Sequence, residues 1–182
     1  LLGATVVSFA INGKSDQMGG MGGHESHNSS NSNYTGADIM FLQMMIPHHQ
    51  QAIDISNLAM KTSKDAELLA LAKIIARDQA AVITKMKAWL ADAGAGMDMG
   101  HSMDGMGGML SGAELSALNV ETGTKFDILW LKGMTGHHDG AIHMTTMIRD
   151  ASNPEIKAFG EKVIADQAAQ IEQMREMIKR LS

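Results

Sequence analysis

The sequence predicts an all-α fold, namely an antiparallel four-helix bundle made of two duplicated helical hairpins. Apolar residues recur at three- and four-residue spacing over four long segments, which is the period of an amphipathic helix. Residues 35–54 are repeated as residues 124–143, at an offset of 89. Because each predicted helix carries one apolar stripe, the stripes bury one another only if the helices pack together.

The helices are expected near residues 36–60, 64–93, 125–150 and 154–181, with a short extra helix near 112–119. Side chains that cap helix N-termini precede most of these segments. The predicted caps are Thr35-x-x-Asp38, Ser111-x-x-Glu114, Thr124-x-x-Asp127 and Asn153-Pro154-Glu155. The short turns at residues 61–63 and 151–153 require that the helices they join run antiparallel.

The chain is predicted to contain one folded domain. Residues 1–11 form an uncharged apolar run that is typical of the end of a signal peptide, with an ordinary buried segment as the alternative. Residues 12–34 are rich in Gly, Ser, Met and His, and are expected to be disordered. The bundle is expected over 35–182, with hairpins 35–93 and 113–182 and a Met/His-rich linker 94–112. These features predict an exported protein, either periplasmic or extracellular.

The composition excludes several classes of protein. There is no cysteine among the 182 residues, which excludes disulfides, thiolate catalysis and Cys-ligated metal sites. The net charge of −5, from 15 basic and 20 acidic residues, argues against nucleic acid as a partner. No segment of the mature chain reaches the roughly 18 apolar residues of a membrane span.

Methionine and histidine are the candidate functional residues. Methionine supplies 17 positions, and the repeat aligns two histidine doublets. The candidate metal ligands in the helices are Met40, Met44, Met45, His48, His49, Met134, His137, His138, His143, Met144 and Met147. Those in the linker are Met97, Met99, His101, Met103 and Met106. Thioether and imidazole together select Cu(I) and its surrogate Ag(I), and imidazole also accepts Cu(II).

Other interpretations of these residues stay open at this point. Buried methionines are ordinary core residues in many proteins, and a structural bundle would need no metal. A haem-binding electron-transfer bundle with Met/His ligation is the main functional alternative, and a Cu(I)-oxidising oxidoreductase is another. No enzyme is predicted, because no Glu-x-x-His di-iron pattern and no nucleophile beside a base is present.

Two further features have two interpretations each. Pro47 and Gly136, which precede the doublets, either re-aim the imidazoles or mark tolerated bends. The aspartates of the repeated pairs Asp78-Gln79 and Asp166-Gln167 either orient histidine rings or pair with Arg77, Arg149 or helix ends. The pairing interpretation is favoured over the orienting one.

The pattern Met-x-x-His-His in both hairpins, with Asp-Gln on the second helix of each, resembles an exported bacterial family, domain of unknown function 305. The likeness covers residues 35–182. It implies a ferritin-like, methionine-rich bundle that binds Cu(I) and Cu(II) outside the cytoplasm and limits copper toxicity. For a protein that binds copper in this way, a copper exporter or sensor protein is the expected partner. The matching positions are Met45, His48, His49, Met134, His137 and His138. The second half has Gly140 where the first has Gln51, and His143 where the first has Asp54. These differences predict that the two halves bind metal unequally.

Overall fold

The computed structural model describes residues 33–97 and 106–182. Within these ranges all regular structure is helical, which confirms the all-α prediction. The helices are α1 (Gly36–Thr62), α2 (Ala66–Asp92), α3 (Gly112–Val120), α4 (Gly123–Met144) and α5 (Pro154–Leu181), with 3₁₀ turns at Met106–Gly108 and Thr145–Ile148. Three predicted segments lie wholly or partly outside the described ranges. They are the signal-peptide remnant 1–11, residues 12–32 of the tract 12–34, and residues 98–105 of the linker.

Capping side chains begin four of the five helices. Thr35 and Asp38 form a complete capping box at α1, as do Ser111 and Glu114 at α3. Asn153 accepts hydrogen bonds from the backbone at the start of α5, and Pro154 occupies its first turn. The start of α2 is capped by Asp65, which accepts a bond from the Leu68 N–H. These local signals explain why the predicted helix starts were accurate to within two residues.

The predicted bounds of α4, near residues 125 and 150, differ from the observed Gly123 and Met144, by two residues at the start and by more at the end. The helix begins at Gly123, whose φ of +60° turns the chain sharply before Thr124 is reached. Thr122 is the N-cap, and its side chain makes no capping bond. At the other end, the hydroxyls of Thr145 and Thr146 donate to the carbonyls of Ile142 and His143. These bonds compete with the regular ladder, and the chain tightens to a 3₁₀ turn.

The helices pack as two hairpins. Residues 63–65 join α1 to α2, which pack along their length, and residues 145–153 join α4 to α5. The hairpins contact each other through α1 and α4, where the indole of Trp130 donates a 3.0 Å hydrogen bond to the Ile55 carbonyl. On the opposite side, a cleft of about 780 Å³ lies between α2 and α5. Both α1 and α4 continue through the predicted bend points Pro47 and Gly136.

The core is divided into two apolar clusters, and the histidine doublets lie between them. Along α1 the chain passes from Met45 in one cluster to Ala52 in the other. Along α4 it passes from Met134 in the second cluster to Ala141 in the first. The two helices therefore run in opposite directions past the same layer. None of the helices in the described ranges has the length and apolar character needed to cross a membrane.

Candidate metal site

Both histidines of each doublet are buried. The side chains of His48, His49, His137 and His138 are at most 2% exposed. Consecutive residues on a helix point about 100° apart, so burial of both requires cover on two adjacent faces. The sequence pattern predicts His49 and His138 in the core with His48 and His137 at its flank. That prediction is wrong for the flank, because α1 and α4 pack directly against each other there.

His48 and His137 form the centre of this layer. Their ring centroids are 3.7 Å apart and the ring planes are inclined by 35°. The other two imidazoles lie to either side, with His49 6.2 Å from His48 and His138 6.3 Å from His137. Because positions 48 and 137 are equivalent in the repeat, the contact lies at the pseudo-symmetry axis that relates the two halves.

Most ring nitrogens of this layer have no hydrogen-bond partner in the part of the chain that the structure describes. The exceptions are His48 Nε2, which is 2.7 Å from the Gly107 carbonyl, and His138 Nε2, which is 2.6 Å from Gln170 Oε1. The Nδ1 atoms of all four residues and Nε2 of His137 are buried and unpartnered there. Each such group costs about 1–3 kcal/mol when no ligand satisfies it.

Burial keeps the four imidazoles neutral at neutral pH. Loss of solvation is the main cause, because it disfavours the charged ring. It lowers the pKa of His48 and of His138 to about 4, and that of His49 to about 3. The pKa of His137 is lowered well below its ordinary value by the same burial and by the neighbouring imidazoles. Neutral imidazole is the form that binds metal ions.

Buried thioethers adjoin the histidine layer. Met45 and Met134 are fully buried three residues before His48 and His137. Met144 is 5% exposed, and its sulfur lies 2.5 Å from the point that a Cβ on Gly107 would occupy. Cδ2 of His48 is 3.4 Å from that same point. The structure therefore brings an imidazole, a thioether and the linker backbone together.

The other predicted ligands in the described ranges are more exposed than those of this layer. Met40 and Met97 are about half exposed, at 50% and 54%, and His143 is exposed. Met44 and Met147 are partly buried against the core cluster that contains Met45. Met99, His101 and Met103 lie outside the described residues, as does the side chain of Met106. The amide of Gln43 donates a 2.7 Å bond to the Gly96 carbonyl, which holds the start of the linker against α1.

Sequence reasoning missed the polar groups that contact the imidazoles. Gln170 and the Gly107 carbonyl carry no motif, since each is recognisable only from a contact across the fold. The aspartates of the repeated Asp-Gln pairs are exposed and paired with cations, Asp78 with Arg77 and Asp166 with Lys162. Pairing with Arg77 was predicted, whereas Lys162 was not. The glutamines Gln79 and Gln167 are the buried members of these pairs.

Within residues 33–97 and 106–182, no group of three His, Asp or Glu side chains forms a ready-made metal cluster. The layer instead offers paired imidazoles, thioethers and backbone carbonyls. Such a set suits soft ions that accept few ligands better than ions that demand several oxygen ligands.

The repeat, the helical hairpins and the paired doublets together define a family. Residues 38–178 match DUF305, a domain of unknown function, and the chain therefore belongs to the DUF305 family. Among solved structures, a DUF305 fragment from Deinococcus radiodurans is 28% identical with a TM-score of 0.75, covering 80% of this chain and 97% of that one. A DUF305 protein from Streptomyces coelicolor is also 28% identical, with a TM-score of 0.74, covering 80% and 92%.

The chain is also similar to CopM. CopM in its Cu(II)-bound form is 31% identical with a TM-score of 0.66, covering 80% of this chain and 97% of that one. CopM has been solved with Cu(I) and with silver as well, and those structures match at 29–30% identity. No curated protein matches the chain.

Proposed function

We propose that this protein is an exported copper-binding protein that sequesters or passes on Cu(I) and Cu(II) through Met and His side chains, and so contributes to copper resistance. The observation that carries the proposal is the buried layer of neutral imidazoles at the contact between α1 and α4. Five of its eight ring nitrogens are buried and have no partner among the described residues. A metal ion would satisfy these lone pairs without adding a proton.

The donor set selects the metal. Thioether sulfur is a soft ligand that favours Cu(I), and imidazole binds both copper oxidation states. Met45, Met134 and Met144 supply buried thioethers around the imidazoles. The similarity to CopM, which was solved with Cu(II), Cu(I) and silver, supports the same choice.

The fold and location are part of the proposal. The two hairpins act as one four-helix bundle, so that each half contributes one doublet to a shared layer. The Streptomyces relative is described as a candidate secreted protein, which supports function outside the cytoplasm. Release of copper in that setting requires an acceptor, and an exporter or a sensor is the class of partner that fits.

Metal titration of paired histidine variants tests the proposal. The parent protein and the double variant His48→Gln/His137→Gln would be titrated with Ag(I), and with Cu(I) under anaerobic conditions, against a competing chelator. We expect the parent to bind both ions, and the double variant to lose at least tenfold in affinity. The matched control is His143→Gln, which changes an exposed predicted ligand away from the layer.

Circular dichroism and the melting temperature would establish that each variant is folded before it is titrated. Equal affinity in the parent and the double variant would remove the histidine layer from the function. If His143→Gln alone lost affinity for the metal ions, the metal site would lie on the surface of α4 and not in the histidine layer. A Soret band on addition of haem, without a response to Ag(I), would favour the haem-binding alternative.

A further inference from the structure

Residues 107–110 of the linker lie against the histidine layer, and we propose that they form part of the metal site. In this proposal the Gly107 carbonyl fixes the tautomer of His48, so that Nδ1 is the nitrogen presented to the metal. The inference rests on the proposed function and assigns the ligand atom of that same site.

The hydrogen bond between the linker and His48 determines the tautomer. A carbonyl oxygen only accepts hydrogen bonds, so the 2.7 Å contact between His48 Nε2 and the Gly107 oxygen requires the proton on Nε2. A neutral imidazole carries one N–H, which leaves the lone pair on Nδ1. That Nδ1 is buried and has no partner among the described residues. Metal-bound histidines commonly donate their second ring N–H to a carbonyl in this way.

The first hairpin holds the linker through Gln51. The side-chain amide of Gln51 donates a 3.0 Å bond to the Leu110 carbonyl, and its oxygen accepts a 2.8 Å bond from the Leu110 N–H. Leu110 itself is buried in the core. This reciprocal pair fixes the linker backbone three residues beyond the carbonyl that contacts His48.

The second hairpin packs closely against the same segment because Gly140 has no side chain. A Cβ at that position would lie 1.7 Å from the Gly107 oxygen and 2.6 Å from the Gly108 nitrogen. Gly107 and Gly108 themselves have φ angles of +57° and +75°, which favour glycine. Positions 51 and 140 are equivalent in the repeat, so the two halves hold one linker by different means. This accounts for the departure from the repeat at Gly140.

In a competing interpretation, the Gly107 carbonyl occupies the position beside His48 that the metal takes when it binds. In that case the metal would bind Nε2 beside Met144 and displace the linker. The contacts from Gln51 on one side and Gly140 on the other favour a linker that stays in place. The two interpretations assign different nitrogens to the metal, and this difference can be measured.

The test uses the full chain labelled with ¹⁵N-histidine, and records two-bond ¹H–¹⁵N correlations with and without Ag(I). The variants are Gly140→Ala, Gln51→Ala and the control Gly136→Ala. The control makes the same change one turn earlier on α4, where a Cβ meets nothing within 4 Å. His48→Gln assigns the His48 signals.

We expect the parent and Gly136→Ala to show a proton on Nε2 of His48, and Ag(I) to shift Nδ1 of that ring. Gly140→Ala and Gln51→Ala should lose the single tautomer and bind Ag(I) about 10–100-fold more weakly, the effect typical of groups that orient metal ligands. A merely structural linker would lower the melting temperature in these variants but leave tautomer and affinity unchanged, which would overturn the proposal. Because Gln51→Ala introduces no clash, it remains informative if Gly140→Ala fails to fold.

Two other outcomes separate this inference from the proposed function. Binding of Ag(I) at Nε2, or a proton on Nδ1 in the metal-free parent, contradicts the role of Gly107 while leaving copper binding intact. A parent with the expected tautomer that binds no Ag(I) contradicts the proposed function, and the ligand assignment is then overturned with it.

Discussion

At the scale of single residues, the buried histidines make the stability of the fold depend on pH. Their pKa values fall from an ordinary value near 6.5 to about 4 for His48 and His138 and about 3 for His49. Below pH 6.5 the unfolded chain therefore binds protons that the native fold excludes. The free energy of unfolding is therefore highest above about pH 6.5, and it decreases as the pH falls toward 4.

We accordingly expect the free energy of unfolding of the metal-free protein to be nearly constant from about pH 7 to 8, and to fall below 6.5. The slope should approach about 1.4 kcal/mol per pH unit for each buried histidine. Urea unfolding between pH 8 and 4.5 measures it. His138→Gln should reduce the slope, because it removes one of the buried imidazoles whose pKa is lowered. Equal slopes in the parent and His138→Gln would contradict the prediction.

The buried methionines can be separated into ligands and core residues by replacement with leucine. Leucine keeps the volume and the apolar character, so each change should cost less than about 1.5 kcal/mol. It removes the sulfur, however, so Met45→Leu, at the fully buried position three residues before His48, should weaken Ag(I) binding while leaving the melting temperature nearly unchanged. A chelator competition assay provides the affinity.

The control for this prediction is Met174→Leu. Met174 is fully buried in the cluster around Trp130, and its sulfur lies 3.9 Å from the Thr135 hydroxyl. Its replacement should leave Ag(I) affinity unchanged. If Met45→Leu and Met174→Leu behave alike, Met45 is a core residue and not a metal ligand.

At the scale of the helices, the two halves begin with caps of different quality. Thr35 makes a complete capping box with Asp38, whereas the side chain of Thr122 makes no capping bond. Thr35→Ala should therefore lower the free energy of unfolding by about 1 kcal/mol, and Thr122→Ala by no more than a few tenths. Urea denaturation at neutral pH measures both. A larger loss for Thr122→Ala would contradict the assignment of the α4 start.

Helix existence and most helix starts could be predicted from the sequence because their signals are local. Apolar spacing identified the long helices, and capping residues placed the starts of α1, α3 and α5. The end of α4 could not be predicted, because the sequence does not show that the hydroxyls of Thr145 and Thr146 bond back to carbonyls and tighten the last turn. The start of α4 was misplaced because its equivalent in the first half, Thr35, does cap a helix.

The candidate site was only partly predictable for a related reason. The histidine doublets could be found because they recur at equivalent positions of the repeat. The packing of α1 against α4 decides which histidine of each doublet meets the other helix. In this fold His48 contacts His137. The contacts from Gly107 and Gln170 come from segments far away in sequence and carry no spacing signal.

At the scale of the whole molecule, metal binding should stabilise the fold. An ion held only by the native state at 100 times its dissociation constant adds about 2.7 kcal/mol. For a domain of this size that corresponds to a rise in melting temperature of roughly 5–10 °C. Differential scanning calorimetry with and without excess Ag(I) measures it.

The control for this measurement is the double variant His48→Gln/His137→Gln, which should show little rise. A rise of equal size in that variant would place the stabilising site elsewhere in the chain.

The contact between His48 and His137 places the same side chain on both sides of a pseudo-twofold axis. The interface between the hairpins is therefore isologous, as in a symmetric homodimer, although it lies within one polypeptide. An ion on that axis would be shared by both halves. The layer would then bind one ion, although the chain contains two copies of the motif. The stoichiometry of such a protein cannot be obtained by counting its histidine doublets.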